Sequence, residues 1–286
     1  MSMNTPTLYV VATPIGNLQD MSPRAVETLQ QVDLIAAEDT RHSAPLMQHF
    51  AITTPMMAVH DHNERQRSES IVGRLQQGQS VALISDAGTP LISDPGYHLV
   101  NAVREAGFRV VPIVGPSALI GALSVAGVAT DRFTFMGFLP AKSSHRCQVL
   151  ESITAFTHTH VFYESPHRIL DSVADMLKGC GGERRLVIAR ELTKTFETVN
   201  AGPIDAMQAW LLADSNQQRG EFVLMLAGAP EPAVEAMDAE TDKLLQALLD
   251  ELPIKKAAAL AAKLTPHKKK ALYDRALQLQ GKDVPR

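Results

Sequence analysis

Cysteine is almost missing from this chain. The two present, Cys147 and Cys180, stand far apart and in no C-x-x-C spacing, which argues against a disulfide framework or a zinc knuckle. Long hydrophobic runs are missing too. The first apolar stretch, LYVVA over residues 8–12, has only the length of a strand, and no basic segment precedes it. Neither a signal peptide nor a membrane span is expected, and the chain reads as cytoplasmic. Nor is there a large charge of one sign: the formal net charge is −4, which gives no global case for nucleic-acid binding. A dinucleotide fingerprint, G-x-G-x-x-G, is also absent where one would be sought, after the apolar strand SVALI.

The chain does have length and apolar content. With 286 residues, 45% of them hydrophobic, it can fill two domains and a small third. Strand-like and helix-like segments alternate. LYVVA runs into TPIGN, after which Ser22 and Pro23 supply an N-cap and a first-turn proline for RAVETLQQV. DLIAAED is a second strand signal and breaks into TRHSAPLMQHF. The HDHNE loop, the helical RSESIVGRLQQG, the strand SVALI, the loop SDAGTPLISDPG, the helical YHLVNAVREAG and the strand RVVPIV follow. This alternation predicts an α/β fold with a mostly parallel sheet. A Gly-Pro break before SALIGALSVAG opens a second unit of the same kind, with FTFMGFLP, THVFYES, RRLVIAREL and EFVLMLAG as strands and NAGP as a turn. The expected domains are 1–115, 116–230 and 231–286. Residues 229–242, APEPAVEAMDAETD, read as a linker. Beyond it, LLQALLDEL, IKKAAALAAKL and HKKKALYDRALQL are amphipathic helices broken at Pro253 and Pro266. They form a basic three-helix unit that fits either a helix-turn-helix module or a dimerising bundle.

The chemistry is expected in the loops that follow strands. TPIGN and SDAGTPLISDPG each lie between a strand and a helix, and adjacent parallel strands would bring both to one sheet edge. The second loop carries Asp86 and Asp94 and, in its first turn, the single glycine Gly88. Carboxylates are poor neighbours for phosphate, so this loop suits a hydroxyl-rich or cationic small molecule. AEDTR adds Glu38, Asp39 and Arg41, and ARELTKT adds Arg190, Glu191 and Lys194. HDHNE places His60 and His62 on one face of an extended segment. No His or Cys cluster completes a metal shell there, so no metal is expected.

Taken in order and spacing, TPIGNLQD, AAEDTRH, HDHNE, SDAGTPLISDPG, VGPSA, GFLPAK, FYESPHR, ARELTKT and GEFVL closely resemble the tetrapyrrole methylase-fold methyltransferases. Within them, AEDTR, HNE and ARELTKT resemble the branch that methylates the cytidine ribose 2′-hydroxyl in the decoding region of bacterial 16S ribosomal RNA. The resemblance runs from Leu8 to about Gly228, and the basic tail resembles the helical extension of that branch. It implies two α/β domains with S-adenosylmethionine in the cleft between them. It implies donor contacts at Pro14, at Asp86, Ala87, Gly88 and Thr89, at Ser117 and Ala118, at Tyr163 and at Leu192. Asp39, Glu38, Asp94 and Lys194 become the groups that could take or position the hydroxyl proton. Arg41 becomes a phosphate contact, and Lys255, Lys256, Lys263, Lys268, Lys269 and Lys270 become RNA contacts of the tail. The implied partners are 16S ribosomal RNA, in the assembled small subunit, and a second copy of the chain. A porphyrinoid methyltransferase of the same fold and a non-catalytic nucleic-acid-binding protein are the rival readings; the basic tail and the RNA-branch motifs weigh against the first.

Overall fold

A computed structural model of the protein describes residues 5–230 and 239–281, in two compact units, 1–229 and 230–286. The first unit begins with β1 (Thr7–Val11), α1 (Pro23–Gln31), β2 (Leu34–Ala37), α2 (Thr40–His49), β3 (Met56–Ala58), α3 (Glu64–Gln76), β4 (Val81–Ile84), α4 (Tyr97–Glu105) and β5 (Arg109–Ile113). These five strands form one sheet in the order β3-β2-β4-β1-β5, with every pair parallel. Helices cover both faces. Ala25, Leu29 and Met47 pack on Ile35, Ala82 and Ile84 on one side, while Ile71, Leu75, Leu99 and Val103 pack on Leu8, Ala36 and Leu83 on the other. Coverage on both faces is why LIAA and VALI are continuous apolar runs, buried at every residue, instead of alternating ones. Helix α1 starts as its sequence demands: Ser22 accepts the Ala25 N–H at 3.1 Å, and Pro23 occupies the first turn.

The rest of the first unit contains α5 (Ala118–Val125), β6 (Phe133–Phe138), α6 (Ser143–Ile153), β7 (Thr159–Glu164), α7 (Ile169–Cys180), β8 (Arg185–Arg190), β9 (Thr198–Pro203), α8 (Ile204–Ala213) and β10 (Phe222–Leu226). Its sheet runs β6-β7-β10-β8-β9. Here the expectation of a mostly parallel sheet fails, because β6–β7 is the one parallel pair and the other three are antiparallel. Strand β10 enters between β7 and β8, and the short 191–197 connection turns β8 straight back into β9. Helices α6, α7 and α8 build the core on one face, and α5 covers the other.

Two local expectations are corrected. NAGP is not a turn but the second half of β9, an edge strand in which Pro203 at the end leaves the ladder intact. TRHSAPLMQHF, read as a break, is helix α2 with Pro45 inside it. The helix persists because Ser43 and Met47 bury one face, while the bond that proline removes lies near an exposed end.

The second unit is a three-helix bundle of α9 (Ala239–Glu251), α10 (Ile254–Leu264) and α11 (Lys269–Leu279), closed around Leu245, Ala258, Ala261, Leu272 and Ala276. Pro253 caps α10, and Arg275 ties α11 to Asp242 of α9. Of the stretch read as a linker, residues 231–238 lie outside the described residues, and Ala239–Asp242 already belong to α9. Among the described residues no helix is long and apolar enough to cross a membrane, and both cysteines are free thiols.

Candidate active site

Because β1 and β4 are adjacent and parallel, the loops after them emerge at the same sheet edge, where open α/β sheets bind ligands. The loops are stitched together. Thr13 and Gly88 exchange backbone hydrogen bonds of 2.9 and 3.0 Å, and Thr89 Oγ1 donates to the Pro116 carbonyl at 2.9 Å, drawing in the turn before α5. Gly88 sits at φ +82°, and a Cβ there would lie 3.3 Å from Ile15 Cγ2. Both the conformation and the close approach call for glycine.

Beside these loops, the end of β2 delivers Glu38. Glu38 Oε2 accepts the Asp86 N–H at 3.2 Å, and Asp86 Oδ1 accepts the Asp39 N–H at 3.2 Å, so each strand end is capped by a carboxylate from the other. Asp94 takes a hydrogen bond from Ser85, but burial, followed by the charges of Glu38, Asp86 and Asp61, pushes its carboxyl up to about 6. Burial likewise raises Glu38; the Asp86 N–H opposes this and the Asp86 and Asp61 charges reinforce it.

The opposite wall comes from the second sheet. The Tyr163 hydroxyl accepts the Leu119 N–H at 3.2 Å, satisfying an orphan donor at the start of α5. Burial, with a smaller contribution from the Asp94 charge, raises its phenol. Glu164, fully buried, accepts from the Ser165 N–H at 2.7 Å and from Ser172 Oγ at 2.6 Å, and is neutralised by Arg168 at 2.8 Å. Lys194 Nζ lies 2.8 Å from both Glu191 and Glu221.

Between the walls is a cleft of about 370 Å³, within the range of small-molecule sites. Of the expected donor contacts, all but Pro14 line it; on the first loop the lining residue is its neighbour Ile15. Of the four expected proton handlers, Glu38 and Asp94 line the cleft while Asp39 and Lys194 do not. Asp39 caps α2, and hydrogen bonds from the Arg41 side chain and backbone hold its carboxyl well below the usual range. Burial works against the charge on Lys194, but its bonds to Glu191 and Glu221 outweigh this and hold the ammonium above its usual range. Neither group is suited to take a proton at neutral pH. Arg41 stands on the same sheet edge with its side chain 90% exposed. The six lysines expected to meet RNA are all exposed on the helical unit.

Sequence reasoning did not single out Phe138, Glu164, Glu221 or Ile15, all of which line the cleft. Each is adjacent to or inside a quoted motif, but none has a spacing that sets it apart from a core or surface residue. Among the described residues no group of three His, Cys, Asp or Glu side chains is arranged to hold a metal. His60 in HDHNE instead has Asn63 Nδ2 3.0 Å from its Nε2.

Residues 7–208 match the family described as Tetrapyrrole (Corrin/Porphyrin) Methylases, and residues 235–280 match the RsmI C-terminal HTH domain. The chain is 57% identical to the ribosomal RNA small subunit methyltransferase I of Pseudomonas aeruginosa, over 98% of this chain and 100% of that one. It is 55% identical to the protein of the same name from Escherichia coli O157:H7, over 96% of each chain. Among solved structures, the methyltransferase CobJ aligns with a TM-score of 0.59 at 15% identity, over 80% of this chain and 98% of that one, a likeness of fold alone.

Proposed function

The chain belongs to the tetrapyrrole methylases and, within them, to the ribosomal RNA small subunit methyltransferase I family, and we propose on that premise that it methylates a cytidine ribose 2′-hydroxyl in the decoding region of 16S ribosomal RNA with S-adenosylmethionine as donor. The observation that carries this reading beyond the family is the charge of the cleft. Among the described residues, Glu38, Asp86 and Asp94 line it in no salt bridge, and no Lys, Arg or His lines it. Such a site suits a ligand with a cation and a ribose diol and disfavours phosphate, so these residues fit the proposed donor. The Asp86–Thr89 turn, Ser117, Ala118, Tyr163 and Leu192 would hold it. Bound there, the donor supplies an electrophilic methyl on a sulfonium.

The chain's own part is to orient the hydroxyl in line with that methyl and to receive its proton. Asp94 is the proton acceptor in this reading. One oxygen each of Glu38 and Asp86 accepts a backbone N–H that ties the strand ends together, while Asp94, hydrogen-bonded by Ser85 and brought to about 6 mainly by burial, is more basic than an ordinary carboxylate and still ionised at neutral pH. Glu38 and Asp86 hold the strand ends that frame it. Since the cleft repels phosphate, the RNA backbone is held outside it, by Arg41 and by Lys255, Lys256, Lys263, Lys268, Lys269 and Lys270. The substrate is the assembled small subunit in the cytoplasm. The enzyme acts as a homodimer, with a second copy covering exposed apolar side chains such as Val114, Ile120 and Val125, a point that sedimentation tests directly. Mass spectrometry of 16S RNA from cells lacking the chain tests the whole reading. One cytidine 2′-O-methyl in the decoding region should disappear and return on incubating purified enzyme and donor with subunits. An unchanged pattern overturns it.

A further inference from the structure

Lys194 lies outside the cleft, yet the loop that carries it is built under constraint. Glu191 and Thr193 are held at φ +51° and +67°, where side-chain-bearing residues rarely sit, least of all a β-branched one. The Thr193 hydroxyl is buried without a hydrogen-bond partner among the described residues. A backbone kept in such a state is over-determined by its surroundings. The surroundings here are the first loop. Gly16 follows Ile15, and a methyl group on Gly16 would run into Lys194 Cγ, with Thr193 Oγ1 3.0 Å and Lys194 Cε 3.1 Å away. The lysine stem therefore crosses directly over the Gly16 backbone before its ammonium reaches Glu191 and Glu221 at 2.8 Å each.

This contact joins the neighbours of two cleft-lining residues from opposite halves of the unit. Ile15, next to Gly16, packs on Gly88; Leu192 lies two residues before Lys194; both face the cleft. We infer that Lys194 is a positioning residue: its stem on Gly16 and its ammonium between Glu191 and Glu221 strap the second half of the unit to the first loop and so set the distance between Ile15 and Leu192 across the donor site. The strap acts through its neighbours and touches no reacting atom.

The inference rests on the cleft being the methyl-donor site, and the experiment separates the two. Donor affinity is measured by calorimetry with S-adenosylmethionine on the full-length protein, and turnover by methyl transfer to small subunits. Lys194→Met keeps the stem and removes the charge; it should raise the donor dissociation constant and KM about tenfold and leave kcat at saturating donor within about threefold. Gly16→Ala should raise the dissociation constant more than tenfold. Combining Gly16→Ala with Lys194→Ala, which removes the obstructing stem, should cost much less than the two single effects multiplied together. If Gly16→Ala does not fold, as judged by its melting curve, Lys194→Met alone decides. Unchanged donor affinity in Lys194→Met, or a kcat loss of 100-fold with unchanged affinity, overturns the strap, the latter in favour of proton transfer by Lys194. No donor binding by the unaltered protein overturns the site assignment instead.

Discussion

The two halves of the first unit face the same cleft with carboxylates and treat them in opposite ways. On the parallel sheet, Glu38, Asp86 and Asp94 form no salt bridge among the described residues; they are held by backbone N–H groups or by Ser85. On the mixed sheet, Glu164 is paired with Arg168, and Glu191 and Glu221 share Lys194. The first arrangement leaves negative charge free to act on a ligand and on a proton. The second spends its charge on holding loops in place. In the proposed reading the unpaired carboxylates serve the chemistry and the paired ones the scaffold, although both sheets line one cavity, and the division can be attacked from either side.

The largest effect is expected on the unpaired side. Asp94→Asn removes the proposed proton acceptor but keeps the shape, and single-turnover methyl transfer should fall by about 10²-fold or more, the usual contribution of a general base, with donor affinity little changed. The pH profile gives the sign. With Asp94 as acceptor the carboxylate is the active form, so kcat/KM of the unaltered enzyme should fall as pH drops through about 6. That acid limb should be absent from Asp94→Asn. A variant with full activity would move proton acceptance to Glu38 or to solvent.

The paired side should answer with stability instead of chemistry. Arg168→Met leaves Glu164, whose side chain is 0% exposed, as a buried charge with only its two hydrogen bonds. Loss of one partner of a buried pair costs about 3 kcal/mol, read as a lower urea midpoint at unchanged slope. Adding Glu164→Gln removes the stranded charge and should restore most of the loss. If Arg168→Met were as stable as the parent, the pairing on this sheet would have no structural role and the comparison would lose its second half.

How much of this arrangement was legible in the sequence follows the range of the interactions. LYVVA and SVALI announced strands because burial on both faces leaves an unbroken apolar run, and the Gly, Pro and Asp residues after them announced the loops. Strand β9 and the antiparallel placement of β10 were not legible, since TVNAGP carries turn residues and pairing order is written in no single segment. The same limit applies to the site. Glu38 at a strand end and Asp94 in the loop after β4 stood out as charges, but Asp39 looked equivalent to Glu38, since nothing in the sequence marks its fork to Arg41. Lys194 stood as a possible proton acceptor or positioner, since one of its two carboxylate partners, Glu221, lies 27 residues away. Contacts across such separations depend on topology, and the topology of the second sheet was the part misread.

An acidic cleft disfavours phosphate, so the proposed RNA contacts are placed outside it, on Arg41 and the helical unit. Lys268, Lys269 and Lys270, all exposed, begin α11. Replacing the three with Gln should weaken binding to small subunits at low salt. It should also lower the slope of log K against log salt by about 2 to 3 units, as expected for three lost phosphate contacts. Donor affinity should stay the same. An unaltered slope would make the unit a structural or dimerising element.

The smallest effect runs against the intuition that a substitution at the proposed proton acceptor harms the fold. Asp94 has a folded-state pKa of about 6, above its ordinary value of 3.8. Below the lower value both states are protonated and the group's favourable contribution is fully present. As pH rises through about 6 the native state must ionise a partly buried acid among like charges, and that contribution is lost. At neutral pH the ionised Asp94 therefore destabilises the protein by about 1 kcal/mol, after discounting for solvent screening of a group that is not fully buried. Asn cannot ionise. Asp94→Asn should thus melt about 2–4 °C above the parent at pH 7.5, and the difference should close as pH falls towards 4. A variant that melts lower at pH 7.5 would mean that the Ser85 hydrogen bond outweighs the repulsion from Glu38, Asp86 and Asp61, and that the unpaired carboxylates are held at no cost to the fold.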